Sequence, residues 1–142
     1  MPEPSATGSL PVSAVMAENI VRLSPGAPLA EAVAAMVEHD VGLIVLSTDD
    51  GPVERALVSA VVSERDIAHA AAKGIPLDTT PATDVASARL VWCNAESSVA
   101  DAAIEMLAHY VRHVLVEEDG RLVGVVSARD LLGVYAAESA VD

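Results

Sequence analysis

The residues best suited to chemistry in this 142-residue chain occur twice, as Ser63-Glu64-Arg65-Asp66 and Ser127-Ala128-Arg129-Asp130. A carboxylate only accepts hydrogen bonds, so Asp66 or Asp130 can take one from each hydroxyl of a vicinal diol. The same Ser-x-x-Asp spacing also starts a helix, with serine as N-cap and the acid completing a capping box. Both readings stay open at this point. Arg65 and Arg129 bear on the choice, because an exposed cation in the first turn opposes the helix dipole by about 0.3–1 kcal/mol. The unpaired N–H groups of a helix N-terminus suit an anion, so a bound phosphate would account for an arginine there. Pairing of each arginine with a nearby carboxylate accounts for it equally well.

Other reactive residue types point to packing. His39 and His109 fall near the end of a helix in equivalent places, where histidine can bond terminal carbonyls. His109 and His113 lack a third partner for a metal, and a break between helix and strand falls between them. Met36 and Met106 lie on apolar helix faces and are expected in the core. Trp92 and Cys93 precede a helix, and packing is the expected role of both. No nucleophile-base pair or paired-acid site stands out, so an enzyme is not expected.

The elements that must carry the two motifs emerge when the sequence is slid along itself. At an offset of 70, Ala30, Ala32, His39 and Val41 meet identical residues at Ala100, Ala102, His109 and Val111. Leu29, Val33, Met36 and Val37 fall on Val99, Ala103, Met106 and Leu107, the i, i+4, i+7, i+8 face of a helix in both copies. At an offset of 64, the run from Val61 to Asp66 falls on Val125 to Asp130. The six-residue difference sits in Ser47–Arg55, predicting a longer hairpin loop in the first copy than at Glu118-Asp119-Gly120-Arg121. Each copy reads β-α-β-β-α. A short segment (Ile20–Leu23; Leu90–Cys93) precedes a helix, then come two strands (42–46 with 56–62; 111–116 with 122–126) and a second helix. The second helices begin at Ser63, stopping near Gly74, and at Ser127, running to about Glu138. The predicted class is α/β (α+β), with halves too small to bury a sheet alone and therefore packed on each other; the family resemblance given below implies pseudo-two-fold symmetry between them. We expect a flexible arm over residues 1–10, repeats over 11–74 and 81–138, a linker at 75–80 and a tail at 139–142.

Composition removes several classes of function. Eight Lys and Arg against 21 Asp and Glu give a net charge of −13, the wrong sign for nucleic acid or an anionic membrane. Three aromatic residues, Trp92, Tyr110 and Tyr135, leave little for base stacking. Cys93 is the only cysteine, so no intrachain disulfide forms, which fits a reducing cytoplasm. The longest charge-free stretch, Pro4–Ala17, is interrupted by Gly8 and Pro11 and is too short for a membrane span. With 52% apolar residues the chain can bury a substantial core.

The order of elements and the motif Gly124-Val125-Val126-Ser127-Ala128-Arg129-Asp130, matched by Ala60-Val61-Val62-Ser63-Glu64-Arg65-Asp66, resemble tandem CBS domains, the paired Bateman module, over roughly Val12–Val134. The resemblance implies a regulatory or sensor protein holding AMP, ADP, ATP, S-adenosylmethionine or NAD in the cleft between the repeats, with no required cofactor. It further implies that Asp66 and Asp130 bind ribose hydroxyls, with Ser63 and Ser127 near ribose or phosphate. It places Arg112 and His113 where such a ligand could meet them, against Gly42 and Leu43 in the first copy. Strand alternation allows at most one of the two to face it, His113 ahead of Arg112, and a solvated edge position is the leading alternative for either. The ligand-binding candidates are thus Ser63, Arg65, Asp66, His113, Ser127, Arg129 and Asp130. Ala60 stands where the motif has glycine, and its methyl group is expected to hinder a ligand in the first copy. Expected partners are an adenosine nucleotide, AMP or ADP ahead of ATP on charge grounds, a second copy paired through the CBS helices, and an unknown effector protein. The competing reading is a ligand-free interaction module whose motifs only cap helices.

Overall fold

The computed structural model describes residues 7–48 and 51–141. They form two compact units, one of Asn19–Leu90 and the other of the N-terminal residues through Glu18 with Val91 onward. The first unit contains β1 (Arg22–Leu23), α1 (Leu29–His39), β2 (Leu43–Ser47), β3 (Val58–Ser63) and α2 (Glu64–Ala72). The second contains β4 (Trp92–Asn94), α3 (Val99–His109), β5 (His113–Glu118), β6 (Arg121–Ser127) and α4 (Ala128–Val141). Each sheet has three strands, the first parallel to the second and the second antiparallel to the third. The predicted β-α-β-β-α order is thus present in both units, and α4 continues through 139–141.

The helices form where the apolar period places them. Leu29, Ala32 and Met36 of α1, and Val99, Ala102 and Met106 of α3, are the buried face. They pack on Ile44, Leu46 and Val62 in one unit and on Val114, Val116 and Val126 in the other. Both helices end in a left-handed residue, Asp40 (φ 51°) and Tyr110 (φ 55°), whose N–H bonds the Met36 or Met106 carbonyl. The main chain therefore caps these ends; the His109 side chain pairs with Glu105 at 3.2 Å.

The hairpins differ as their lengths predict. Asp119 (φ 53°) and Gly120 (φ 78°) make the tight turn between β5 and β6, two successive left-handed residues matching strand twist. The longer connection between β2 and β3 includes a 3-10 turn at Arg55–Leu57; Asp49 and Asp50 lie outside the described residues.

Sequence repeat and compact unit are different stretches of chain. Residues 11–18 open the first repeat in sequence, yet Val12 is in the core with Val99 and Val126. The Val12 N–H donates to Ser97 O at 2.8 Å, and Ala17 exchanges two 2.9 Å bonds with Val125. In the same way Ala82 is buried with Leu29 and Ile44, and Ser87 pairs with Val61. The cause is the set of unpaired donors at each helix start. Leu29 and Ala30 N–H donate to Thr80 O and Leu77 O, and Val99 and Ala100 N–H donate to Leu10 O and Gly8 O. Residues 75–80 are consequently held, with Ile75 and Leu77 packed on the core, and are no free linker. Residues 7–10 of the expected arm are held likewise, and residues 1–6 lie outside the described residues.

Candidate functional site

Both Ser-x-x-Asp motifs sit where the last strand of a sheet turns into a helix, β3 into α2 and β6 into α4. Ser63 N–H donates to Asp66 Oδ2 at 2.9 Å and Asp66 N–H donates to Ser63 Oγ at 3.2 Å. Ser127 N–H donates to Asp130 Oδ2 at 3.0 Å and Asp130 N–H donates to Ser127 Oγ at 3.0 Å. The capping box is therefore formed twice. It uses one carboxylate oxygen of each acid, and Oδ1 of Asp66 and of Asp130 accepts no hydrogen bond among the described residues. Both acids are part-buried, so each corner presents a fixed carboxylate with one oxygen available.

The flanking residues make the two corners unequal. Arg65 and Arg129 are exposed and form no ion pair among the described residues. Across the sheet, His113 is in register with Ser127, and Leu43 is in register with Ser63. Directly opposed residues share a face, so the serine has an imidazole beside it in one unit and an isobutyl group in the other. The first N–H of each helix bonds the carbonyl just before the middle strand, Glu64 N–H to Gly42 O at 3.1 Å and Ala128 N–H to Arg112 O at 2.8 Å. That bond brings residues 42 and 112 into their corners. The Glu64 side chain lies over the Gly42 Cα, where a methyl group at 42 would collide with its Oε1.

The glycine reading needs correction. Gly124 is not open to an approaching molecule: a Cβ there would meet the Met16 side chain and, at 3.1 Å, the backbone oxygen of Ala17. Its place is to admit the 16–17 segment onto β6. In the other unit Ala60 and Ala86 stand at the positions of Gly124 and Met16. Ala60 is 6% exposed and packs in the core, so its methyl group fills volume that Met16 fills elsewhere and is no obstruction.

Glu64 and Met16 are the neighbours of the two glycines that were not singled out from sequence. Their signal is a coupled exchange between repeats: Gly42 with Glu64 against Arg112 with Ala128, and Ala60 with Ala86 against Gly124 with Met16.

The remaining reactive groups are quiet. Burial pushes the Cys93 thiol up to about 11, with the Glu105 carboxylate adding to the shift, so it is a protonated, weak nucleophile at neutral pH. Met36 and Met106 are core residues, 8% and 6% exposed. Among the described residues no helix is long and apolar enough to cross a membrane.

Comparison with known proteins bears on both the fold and the motifs. Residues 12–73 and 82–137 each match the CBS domain model. YhcV, a CBS domain-containing protein of Bacillus subtilis, is 31% identical over 121 residues, spanning 84% of this chain and 81% of its own. A CBS domain protein of Pyrobaculum aerophilum complexed with AMP is 33% identical, with a TM-score of 0.77 over 92% of this chain and 99% of its own. An uncharacterized conserved protein of Pyrococcus horikoshii is 27% identical, with a TM-score of 0.79 over 90% and 93% of the two chains. Two duplicated β-α-β-β-α units, each bearing the strand-Ser-x-x-Asp-helix corner and each matching the same model, make this chain a member of the CBS domain family.

Proposed function

We propose that the protein is a non-catalytic regulatory module that binds an adenosine-containing ligand, AMP or ADP, through its Ser-x-x-Asp corners. The observation that carries this reading is the Asp130 carboxylate: Oδ2 is fixed by the Ser127 N–H at 3.0 Å, while Oδ1 has no bond among the described residues. An oxygen held in place and without a partner suits a ribose hydroxyl, and Arg129 beside a helix N-terminus suits a phosphate. Ser127 and His113 flank the same corner; Ser63, Arg65 and Asp66 form its counterpart. The AMP held by the Pyrobaculum aerophilum relative, at 33% identity, supports the ligand class. A net charge of −13 disfavours longer polyphosphates. A ligand acts on such a module by binding one of two arrangements more tightly, which an effector protein could then read.

The test is a thermal-shift panel of AMP, ADP, ATP, S-adenosylmethionine and NADH. A ligand at about 100 times its Kd adds about 2.7 kcal/mol, or roughly 5–10 °C for a chain of this size. A panel without any shift refutes the reading.

A second reading rests on exposed apolar side chains. Ile104 (59% exposed), Leu107 (77%) and Tyr110 (88%) of the α3 segment and Leu132 (70%) of the adjacent α4 have no partner in their own unit's core. This supports pairing of two chains through these helices, with or without a ligand. Under this reading Leu107→Asp moves the sedimentation coefficient from dimer to monomer; a wild-type chain that sediments as a monomer excludes it.

A further inference from the structure

We infer that the two corners select adenosine ligands of different charge: the Asp130 corner one that bears phosphate, the Asp66 corner one without an anionic group. The inference rests on the ligand class proposed above and adds which corner takes which ligand.

One backbone bond is equivalent in the two units. In both units the first N–H of the motif helix donates to the carbonyl just before the middle strand, Glu64 to Gly42 and Ala128 to Arg112. The chain therefore presents the same two positions side by side in each corner. In one the pair is Gly42 with Glu64, and the carboxylate occupies the space over the bare Cα. In the other the pair is Arg112 with Ala128, so the acid is absent and the residue bonded to the helix start is an exposed arginine. A side chain at 42 would displace the exposed Glu64 carboxylate from this place, and the copy that carries a side chain there, Arg112, has Ala128 in place of the acid.

Charge follows from this exchange. Around Asp66 stand Glu64, Arg65 and Asp66, a formal charge of −1; around Asp130 stand Arg112, Arg129 and Asp130, a formal charge of +1. None of Glu64, Arg65, Arg112 and Arg129 has an ion-pair partner among the described residues, so these charges act on whatever enters. Near a protein surface, one such charge at contact distances changes the affinity for an anion by about five- to tenfold, and two by about 25- to 100-fold. On a chain of net charge −13, a phosphate has reason to avoid the corner with no excess cation. The Asp66 corner keeps its diol acceptor while repelling the phosphate, which leaves it to nucleosides that are neutral or cationic.

Isothermal titration of the full chain with AMP and with adenosine at low salt tests this, using wild type, Arg112→Gln and Glu64→Gln. Neither substituted side chain is bonded among the described residues, and circular dichroism verifies folding. Wild type should take one tight equivalent of AMP per chain. Arg112→Gln should weaken that equivalent about five- to tenfold while moving adenosine by less than twofold. Glu64→Gln should tighten a second AMP equivalent by about the same factor, and both effects should shrink at high ionic strength. AMP binding that is indifferent to both substitutions, or that is abolished by Asp66→Asn and kept by Asp130→Asn, overturns the charge assignment alone. Absence of heat with both compounds overturns it together with the ligand class it rests on.

Discussion

Replacing Gly124 by alanine is the sharpest test of how the 16–18 segment is built into its unit. The new Cβ would run into the Met16 side chain, with its Cγ at 2.8 Å, and would stand 3.1 Å from the Ala17 backbone oxygen. Met16 is flexible and can move, but Ala17 cannot easily retreat. Its N–H and its oxygen each hold a 2.9 Å bond to Val125. Overpacking of this kind costs about 1–3 kcal/mol, and the loss of glycine's freedom in the unfolded chain returns about 0.4–1 kcal/mol. The net expectation is a loss of about 1–2 kcal/mol, read as a lower urea midpoint with an unchanged slope at fixed protein concentration. The other unit supplies the rescue, because Ala60 and Ala86 are what Gly124→Ala with Met16→Ala would recreate. The double variant should therefore be more stable than the sum of its single losses predicts, by at least about 1 kcal/mol in a double-mutant cycle. A neutral or stabilising Gly124→Ala, or strictly additive losses, would refute the volume exchange.

Four further outcomes follow from local geometry. Ser127→Ala and Ser63→Ala each remove a formed N-cap and should lower stability by about 1 kcal/mol, with or without ligand present. Asp40→Gly relieves a left-handed aspartate at an exposed helix end and should raise the melting temperature slightly; a fall would mean that the Asp40 side chain has a role its geometry does not reveal. The Cys93 thiol, with its pKa raised from 9.0 to about 11, should react with alkylating reagents about 100-fold more slowly at pH 8 than an unperturbed cysteine. The unfolded chain ionises this thiol first, so its contribution to stability is complete below about pH 9 and declines as pH rises toward 11, which urea titrations across that range detect.

Much of the architecture was legible because duplication doubles every signal. The offset of 70 identified both core helix faces, and Leu29, Ala32 and Met36 are buried as Val99, Ala102 and Met106 are. The shift to 64 located the long hairpin at the correct place, between Ser47 and Val58. Ser-x-x-Asp predicted two capping boxes, and both form. What the periods do not encode is which stretch of chain completes which sheet. Residues 11–18 and 81–87 are equivalent in sequence, and only the hydrogen bonds of Val12, Ala17, Ala82 and Ser87 assign them. The meaning of Gly124 was misread for the same reason: a missing side chain marks close approach, but not of what. Glu64 and Met16 escaped notice because each matters only as half of a pair whose other member is remote in sequence.

A cycle of ligand against protein tests whether Asp130 Oδ1 bonds the ribose diol. AMP and 2′,3′-dideoxy-AMP are titrated into wild type and into Asp130→Asn, which keeps a capping oxygen. Removing the hydroxyls should weaken binding to wild type about 10- to 100-fold, the size of hydrogen bonds to a charged group, and should have little further effect on the variant. Equal losses for the two ligands pairs in both proteins would show that the diol and Asp130 do not meet.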